Sequence, residues 1–187
     1  MKIAVLVSGS GTNLQRIIDA IENKELQNSQ ITQVIADRNC FALERALNHD
    51  IETFLVEKGT ELSNQLDEFL LPNTDLIVMA GFLSILDENF CKKWENKIIN
   101  IHPSLLPKYG GMGMWGMNVH KAVLANNEKQ TGATVHYVTD GVDEGAIILQ
   151  KFMNIKENET PEFLAARVHE IEYEILIEAL KKLENQN

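Results

Sequence analysis

The sequence has few cysteines, few basic residues and no long hydrophobic run. Its two cysteines, Cys40 and Cys91, are typical of the reduced thiols of a cytoplasmic protein and not of a disulfide framework. The 17 lysines and arginines stand against 27 acidic residues, so the net charge is −10. A nucleic-acid or anionic-membrane partner would normally require a basic face. No apolar run approaches the length of a membrane span, and the N-terminal apolar run is too short for a signal peptide. We therefore expect a cytoplasmic protein with neither kind of partner.

Apolar runs alternate with segments of helical spacing through the first hundred residues. Buried strands are predicted at residues 2–7, 31–36, 51–56, 75–81 and 98–102. Helices are predicted from residue 12 onwards and at residues 41–48, 60–71 and 87–94. This alternation predicts an α/β fold with a doubly wound, mostly parallel, Rossmann-like sheet. The length of 187 residues suits a single domain that covers residues 1–187.

The pattern changes in the second half of the chain. A Gly- and Met-rich loop at 108–118 precedes a short helix at 119–126. Two strands then follow closely, at 133–138 and 146–155, which predicts an antiparallel extension of the sheet. Thr160, followed by Pro161, opens a long C-terminal helix that ends near Leu183.

The run from Ile98 to Pro107 combines a buried strand with polar groups. Asn100 and His102 alternate with apolar residues, so their side chains share one face of the strand. Pro103 ends the ladder because it has no N–H to donate. Ligands of open α/β sheets bind at the carboxyl ends of strands. The run is therefore either part of a site or an ordinary strand end before a turn.

The segment from Ser8 to Asn13 joins a strand to a helix and contains two glycines. Such a loop brings free backbone N–H groups and the helix dipole to an anion, which favours a phosphate cradle. It is not a P-loop, because the Gly-Lys-Ser/Thr element is absent, and Leu14 occupies the third glycine of the dinucleotide fingerprint. A plain strand-to-helix turn is the alternative.

Asp140 and Asp143 lie in a glycine-punctuated loop between the two late strands. A carboxylate beside His102 would orient the imidazole and favour its charged form. Spacing alone does not choose between the two aspartates. Most aspartates in such loops only cap turns.

Four stretches, at 5–15, 79–86, 100–109 and 138–145, together resemble the phosphoribosylglycinamide formyltransferases of purine biosynthesis. The most specific are Ser-Gly-Ser-Gly-Thr-Asn, Asn-Ile-His-Pro-Ser and Val-Thr-Asp-Gly-Val-Asp-Glu-Gly. The resemblance covers nearly the whole chain. It implies transfer of the formyl group of 10-formyltetrahydrofolate, as co-substrate, to the amine of glycinamide ribonucleotide.

The resemblance also implies roles for individual residues. Asn100, His102 and Asp143 would be catalytic: the first two stabilise an oxyanion, and Asp143 holds His102 charged or orients a proton-shuttling water. The phosphate would lie on Gly11, Thr12 and Asn13, Glu172 would bind the ribose hydroxyls, and Gly81 and Leu83 would line the cleft between the substrates. The folate would contact Leu83, Ile85, Leu86, Ile98, Val138 and Asp140. For Ile98, ordinary core is an equal alternative. No metal is expected, because the five histidines lack metal-ligand spacing.

Two features depart from the family pattern. Ser84 replaces a basic residue that some members place near the folate tail. Residues 110–117 form a longer segment, either a lid over the substrate or a variable surface loop. The alternatives in function are a 10-formyltetrahydrofolate hydrolase and a non-catalytic nucleotide-binding module. A tRNA-directed formyltransferase would require a further domain and a basic face. The expected partners are small molecules, with the chain a monomer or a homodimer.

Overall fold

The computed structural model describes residues 1–185, and their seven strands form one sheet. The strands are β1 (Lys2–Val7), β2 (Gln30–Ala36), β3 (Thr53–Leu55), β4 (Leu76–Met79), β5 (Ile98–His102), β6 (Gln130–Tyr137) and β7 (Ile147–Asn154). Their order is β3-β2-β1-β4-β5-β6-β7. The first five strands pair in parallel, and β6 and β7 pair antiparallel. The predicted fold class, with its antiparallel extension, is confirmed.

Six helices cover the two faces of the sheet. They are α1 (Thr12–Glu22), α2 (Phe41–Asn48), α3 (Leu62–Phe69), α4 (Glu88–Lys93), α5 (Met117–Ala125) and α6 (Pro161–Glu184). The core residues of α1, α2, α5 and α6 pack on one face, and those of α3 and α4 on the other. Thr160 caps α6 and Asp87 caps α4, each through its side chain, as predicted. Within residues 1–185, no helix has the length and apolar character needed to cross a membrane.

Several element boundaries differ from the prediction. β3 is three residues long, because only Thr53–Leu55 finds ladder partners on β2. β6 begins at Gln130, earlier than predicted, because β7 supplies partners for residues that carry no apolar signal. α5 begins at Met117, inside the stretch predicted as loop. These elements are defined by hydrogen-bond partners as well as by local hydrophobicity.

Alternation along β5 divides its side chains between two environments. Ile99 and Ile101 are buried in the core beneath α1, α5 and α6. Ile98 is fully buried in the opposite core, beneath α3 and α4. Asn100 and His102 share the face of Ile98 but lie nearer the carboxyl end of the strand, where the helical layer stops and a cleft begins.

The order in which the chain adds strands to the sheet reverses direction between β1 and β4. Hydrogen bonds join the loops that follow these two strands. The backbone N–H of Ser8 donates to the Gly81 carbonyl at 3.1 Å. The Ser8 Oγ accepts from the Leu83 N–H at 2.8 Å. Ser84 Oγ donates to Asp37 Oδ2 at 2.6 Å, so it fixes this loop to the end of β2. These hydrogen bonds hold together the loops that border the cleft at the topological switch point.

We expect Gly132→Ala to destabilise the fold by about 3 kcal/mol, because a Cβ there overpacks a closed space. It would lie 1.9 Å from the Lys151 carbonyl oxygen on β7 and 2.8 Å from Leu105 Cδ2. Urea unfolding measures the change. Gly9→Ala is the matched control, since its Cβ would meet nothing within 4 Å. Equal unfolding midpoints for the two variants would contradict this account of the β6–β7 contact.

Candidate active site

A cleft of about 820 Å³ opens at the carboxyl edge of the sheet. This volume lies within the range of sites for drug-sized ligands, roughly 300–1,000 Å³. Its walls come from the loops after β1, β4 and β5, the segment 111–117, the loop 138–143 and one face of α6. The polar stretches singled out in the sequence therefore meet around one cavity.

The Asp143 carboxylate lies among groups from three chain segments. Its Oδ2 accepts from the Gly111 N–H at 3.0 Å and lies 3.5 Å from His102 Nδ1. Its Oδ1 lies 3.6 Å from His136 Nε2 and accepts from Asn100 Nδ2 at 3.5 Å, a long contact. Asn100 and His136 are cross-strand partners on β5 and β6, and their side chains are 3.2 Å apart. The three residues predicted as catalytic are thus brought together, with His136 as a fourth member.

The charge of Asp143 is stabilised although its side chain is only 10% exposed. Burial alone would raise the pKa of this carboxyl. The contact with His136, the charge of His102 and the N–H of Gly111 outweigh burial, so the pKa is lowered. The backbone at Asp143 has φ of 60°, a left-handed conformation that aspartate and asparagine tolerate better than most residues.

The backbone carbonyls around the two histidines define their tautomers. His102 Nε2 lies 2.8 Å from the Tyr109 carbonyl oxygen, so this nitrogen carries a proton and Nδ1 faces Asp143. His136 Nδ1 lies 2.8 Å from the Tyr137 carbonyl oxygen, which leaves Nε2 toward Asn100 and Asp143. Each ring therefore presents one nitrogen to the carboxylate, and donates to it when protonated.

The structure separates the two candidate aspartates. Asp140 lines the cleft but is exposed at its rim, and no hydrogen bond links its carboxylate to an imidazole in residues 1–185. Asp143 is the one that faces His102.

The loop after β1 has the features of an anion cradle. Gly11 adopts φ of 71°, and a Cβ there would lie 2.6 Å from the Cβ of Ala42. Glycine is therefore required both by the turn and by the approach of α2. No side chain caps the first N–H groups of α1. Gly11, Thr12 and Asn13 all line the cleft.

Glu172 and His169 reach this loop from α6. Thr12 Oγ1 lies 2.7 Å from His169 Nε2, and His169 Nδ1 lies 2.7 Å from Glu172 Oε2. The hydrogen bond and charge of Glu172 raise the pKa of His169 against the effect of burial. Glu172 is buried but lines the cleft, and its Oε2 is the oxygen that His169 engages.

Most of the residues predicted to contact folate form an apolar wall. Leu83 and Ile85 are exposed, at 44% and 58%, although both line the cleft. Leu86, Val138 and Gly81 also line it. Ile98 does not: its side chain is fully buried under α3 and α4. Of the two alternatives for Ile98, the structure matches ordinary core.

Sequence reasoning missed three histidines of the cleft. His120, His136 and His169 line it with His102, so four of the five histidines in the chain meet there. Burial, aided by the charges of His169 and His102, lowers the pKa of His120 to about 4, which keeps this ring neutral. His136 carried a signal, because it interrupts an apolar strand as His102 does. His120 and His169 lie on helices whose periodicity does not reveal the cleft.

The segment 110–117 places apolar side chains over the cleft. Met112 is 76% exposed and Trp115 is 55% exposed, and both line the opening. Three of the glycines in this segment have positive φ, so its backbone conformation depends on glycine. Across residues 1–185, no three His, Cys, Asp or Glu side chains lie as a metal site requires.

Comparison with known proteins gives consistent matches over nearly the whole chain. Residues 1–180 match the family model described as formyl transferase. The chain is 35% identical over 97% of its length to a chloroplastic phosphoribosylglycinamide formyltransferase of Vigna unguiculata, of which it spans 60%. It is 39% identical over 97% of its length to the trifunctional purine biosynthetic protein adenosine-3 of Gallus gallus, of which it spans 18%. The chain thus spans less than two thirds of the length of these curated relatives.

The fold has a counterpart of similar size among solved structures. The phosphoribosylglycinamide formyltransferase of Coxiella burnetii superposes with a TM-score of 0.90 and 38% sequence identity. The alignment covers 100% of this chain and 88% of that one.

We expect His136→Leu to raise the pKa of the Asp143 carboxyl, because the variant removes a group that stabilises its charged form. Carbon-13 NMR of the aspartate carboxyls, followed against pH, measures this pKa. His49→Leu is the matched control, since His49 contacts Glu22 outside the cleft. If the pKa of Asp143 is unchanged in a folded His136→Leu variant, His136 does not stabilise the Asp143 carboxylate.

Proposed function

The chain belongs to the formyl transferase family, and we propose that it transfers the formyl group of 10-formyltetrahydrofolate to the amine of glycinamide ribonucleotide in purine biosynthesis. The observation that carries this proposal is the joint position of two features in one cleft. The partly buried Asp143 carboxylate, flanked by Asn100 and His102, lies in the same cavity as the uncapped start of α1. Such a cavity suits an amine that must be deprotonated and that carries a phosphate at its other end.

The reaction requires one bond to form and one to break at the formyl carbon. The substrate amine attacks this carbon, and negative charge develops on the formyl oxygen. We assign Asn100 Nδ2 and the protonated Nδ1 of His102 as the donors to that oxygen, because amide and imidazolium N–H groups stabilise an oxyanion when they are held in place beforehand. His102 is held by the Tyr109 carbonyl, and Asn100 by its contact with His136.

A proton must leave the attacking amine and reach the departing folate nitrogen. Asp143 is ionised, as its lowered pKa requires, so it can accept that proton directly or through one water. The bond from the formyl carbon to folate N10 then breaks, and N10 takes the proton. Formyl-glycinamide ribonucleotide and tetrahydrofolate leave, and the site returns to its starting state without a covalent enzyme intermediate or a metal.

The phosphate is assigned to the backbone of Gly11, Thr12 and Asn13, where the N-terminal N–H groups of α1 are uncapped. Glu172 is assigned to the ribose hydroxyls, with Oε1 as the oxygen that His169 leaves free. The glycinamide then extends past Gly81 toward Asn100 and Asp143. Glu172 is linked to the loop at Thr12 through His169, which supports a sugar next to the phosphate.

The other side of the cleft fits the folate, whose ring faces are apolar and whose pterin edge is polar. Leu83, Ile85, Leu86 and Val138 supply apolar surface, and Asp140 supplies a polar group at the rim. Exposed apolar side chains within a cleft are typical of a ligand-binding wall. We assign the segment 110–117 as a lid over this region. We expect the chain to act as a monomer or a homodimer.

The direct test is a spectrophotometric assay with 10-formyl-5,8-dideazafolate, with and without glycinamide ribonucleotide. We expect the deformylated folate to appear only when the amine is present, because nothing else in the proposal accepts the formyl group. Product without the amine would identify a hydrolase instead. No product in either case, with ribose 5-phosphate still bound, would indicate a module that only binds nucleotides.

We expect Asp143→Asn to lower kcat by about 10²- to 10⁴-fold while the KM for either substrate changes little. Asparagine keeps the left-handed backbone and the volume but cannot take the proton. His102→Ala should also lower kcat, through loss of the oxyanion donor. Steady-state kinetics measures both effects, and circular dichroism checks the fold. Glu144→Gln is the matched control in the same loop, because Glu144 is exposed and does not line the cleft. A kcat for Asp143→Asn equal to that of this control would exclude Asp143 from proton transfer.

A further inference from the structure

The turn after β5 supplies the backbone acceptor that holds the His102 ring. His102 Nε2 lies 2.8 Å from the Tyr109 carbonyl oxygen. In the same turn, the buried Ser104 hydroxyl donates to the Lys108 carbonyl at 2.7 Å and lies 3.4 Å from the Tyr109 carbonyl oxygen. The position of one peptide group therefore determines the nitrogen on which the neutral His102 ring carries its proton.

Tyr109 has a backbone conformation that needs support from its surroundings. Its φ is 57°, in the left-handed region that a bulky residue adopts only when other contacts hold it there. Its side chain supplies such contacts: the half-buried ring packs against the core beneath α5 and α6, and the hydroxyl donates to Glu128 Oε1 at 3.0 Å. The side chain of Tyr109 thus helps to fix the carbonyl that meets His102.

Glu128 lies between α5 and β6 and joins two points that are distant in the chain. Its Oε1 accepts from the Tyr109 hydroxyl and from Lys108 Nζ, each at 3.0 Å. We call these two contacts the clamp. The chain between the clamped residues forms the lid and α5. At the start of the lid, the Gly111 N–H donates to Asp143 Oδ2 at 3.0 Å, so the base of this excursion contacts both charged partners of the cleft.

The two contacts of the clamp differ in strength. The Lys108 side chain is 67% exposed, and an ion pair screened by water contributes little. The Tyr109 hydroxyl belongs to a half-buried residue and donates to a carboxylate, which makes a stronger hydrogen bond than a neutral acceptor would. The clamp therefore acts mainly through Tyr109.

We propose that Glu128 is a positioning residue for His102, because it holds the Tyr109 hydroxyl and thereby fixes the carbonyl that orients the ring. The inference rests on the proposed function, in which the protonated Nδ1 of His102 donates to the formyl oxygen. With Nε2–H bonded to the carbonyl, the proton that charges the ring goes to Nδ1. Without the clamp, Tyr109 leaves its left-handed conformation. Asp143 Oδ2, 3.5 Å from Nδ1, then competes for the single proton of the neutral ring.

The test is nitrogen-15 NMR of the histidine rings at alkaline pH, where a neutral ring carries one proton and the shifts show which nitrogen has it. In the wild type we expect the His102 proton on Nε2, with His102→Ala assigning the signals. Tyr109→Phe and Glu128→Ala should give a mixture of both tautomers. Glu128→Gln should keep the wild-type tautomer, because its amide oxygen still accepts from the Tyr109 hydroxyl. Lys129→Ala, an exposed change at the next residue, is the matched control.

Steady-state kinetics gives the second readout. Tyr109→Phe and Glu128→Ala should lower kcat by about tenfold with little change in either KM, the effect of losing roughly one hydrogen bond that orients a catalytic group. Glu128→Gln and Lys129→Ala should behave as the wild type.

An unchanged His102 tautomer in folded Tyr109→Phe and Glu128→Ala would overturn the inference, even if urea unfolding showed a loss of stability, because the clamp would then be structural only. The NMR measurement requires no formyl transfer, so it stands apart from the transferase assay. A shifted tautomer in a chain that transfers no formyl group refutes the proposed function and supports the positioning of the ring. Formyl transfer with an unchanged tautomer in both variants refutes this inference alone.

Discussion

The partly buried carboxylate of Asp143 is the constraint on which the site depends. Taking an ionised group out of water is costly unless polar partners replace the lost hydration. Here those partners come from β5, β6 and the Gly111 N–H, so one side chain ties together the end of the sheet, the loop before β7 and the segment over the cleft. The same partners keep the acid ionised, which is the state a proton acceptor requires.

Because side chains alternate between the two faces of β5, the same strand contributes to the core and to the cleft. Ile99 and Ile101 anchor it in one core and Ile98 anchors it in the other. Asn100 and His102 then emerge where α3 and α4 no longer cover the sheet. A strand fixed by buried side chains on both faces holds these two polar groups with little freedom, and preorganised donors stabilise a developing charge best.

The electrostatics of the cleft differ from those expected for a protein that binds anions. The chain carries a net charge of −10, and no lysine or arginine appears among the described residues that line the cleft. An anion in this cleft would therefore be held locally, by the N–H groups at the start of α1 and by imidazoles.

Hydrophobic patterning in the sequence determined the α/β class, the parallel sheet with its antiparallel extension, and the capped helices at Asp87 and Thr160, because these depend on local periodicity and local hydrogen bonds. The motifs likewise pointed to Asn100, His102 and the loop ending at Asn13, since strand ends and glycine loops have local signatures. The family resemblance chose Asp143 over Asp140, and the structure shows the contact of Asp143 with His102. Only the tertiary structure decided that Ile98 belongs to the core and that His120, His136 and His169 reach the cleft. The physical reason is that these positions depend on contacts between residues distant in the chain. Such contacts are made by ladder partners, by a left-handed turn at residue 143 and by helix faces that line a cavity. They leave no periodic pattern in the local sequence.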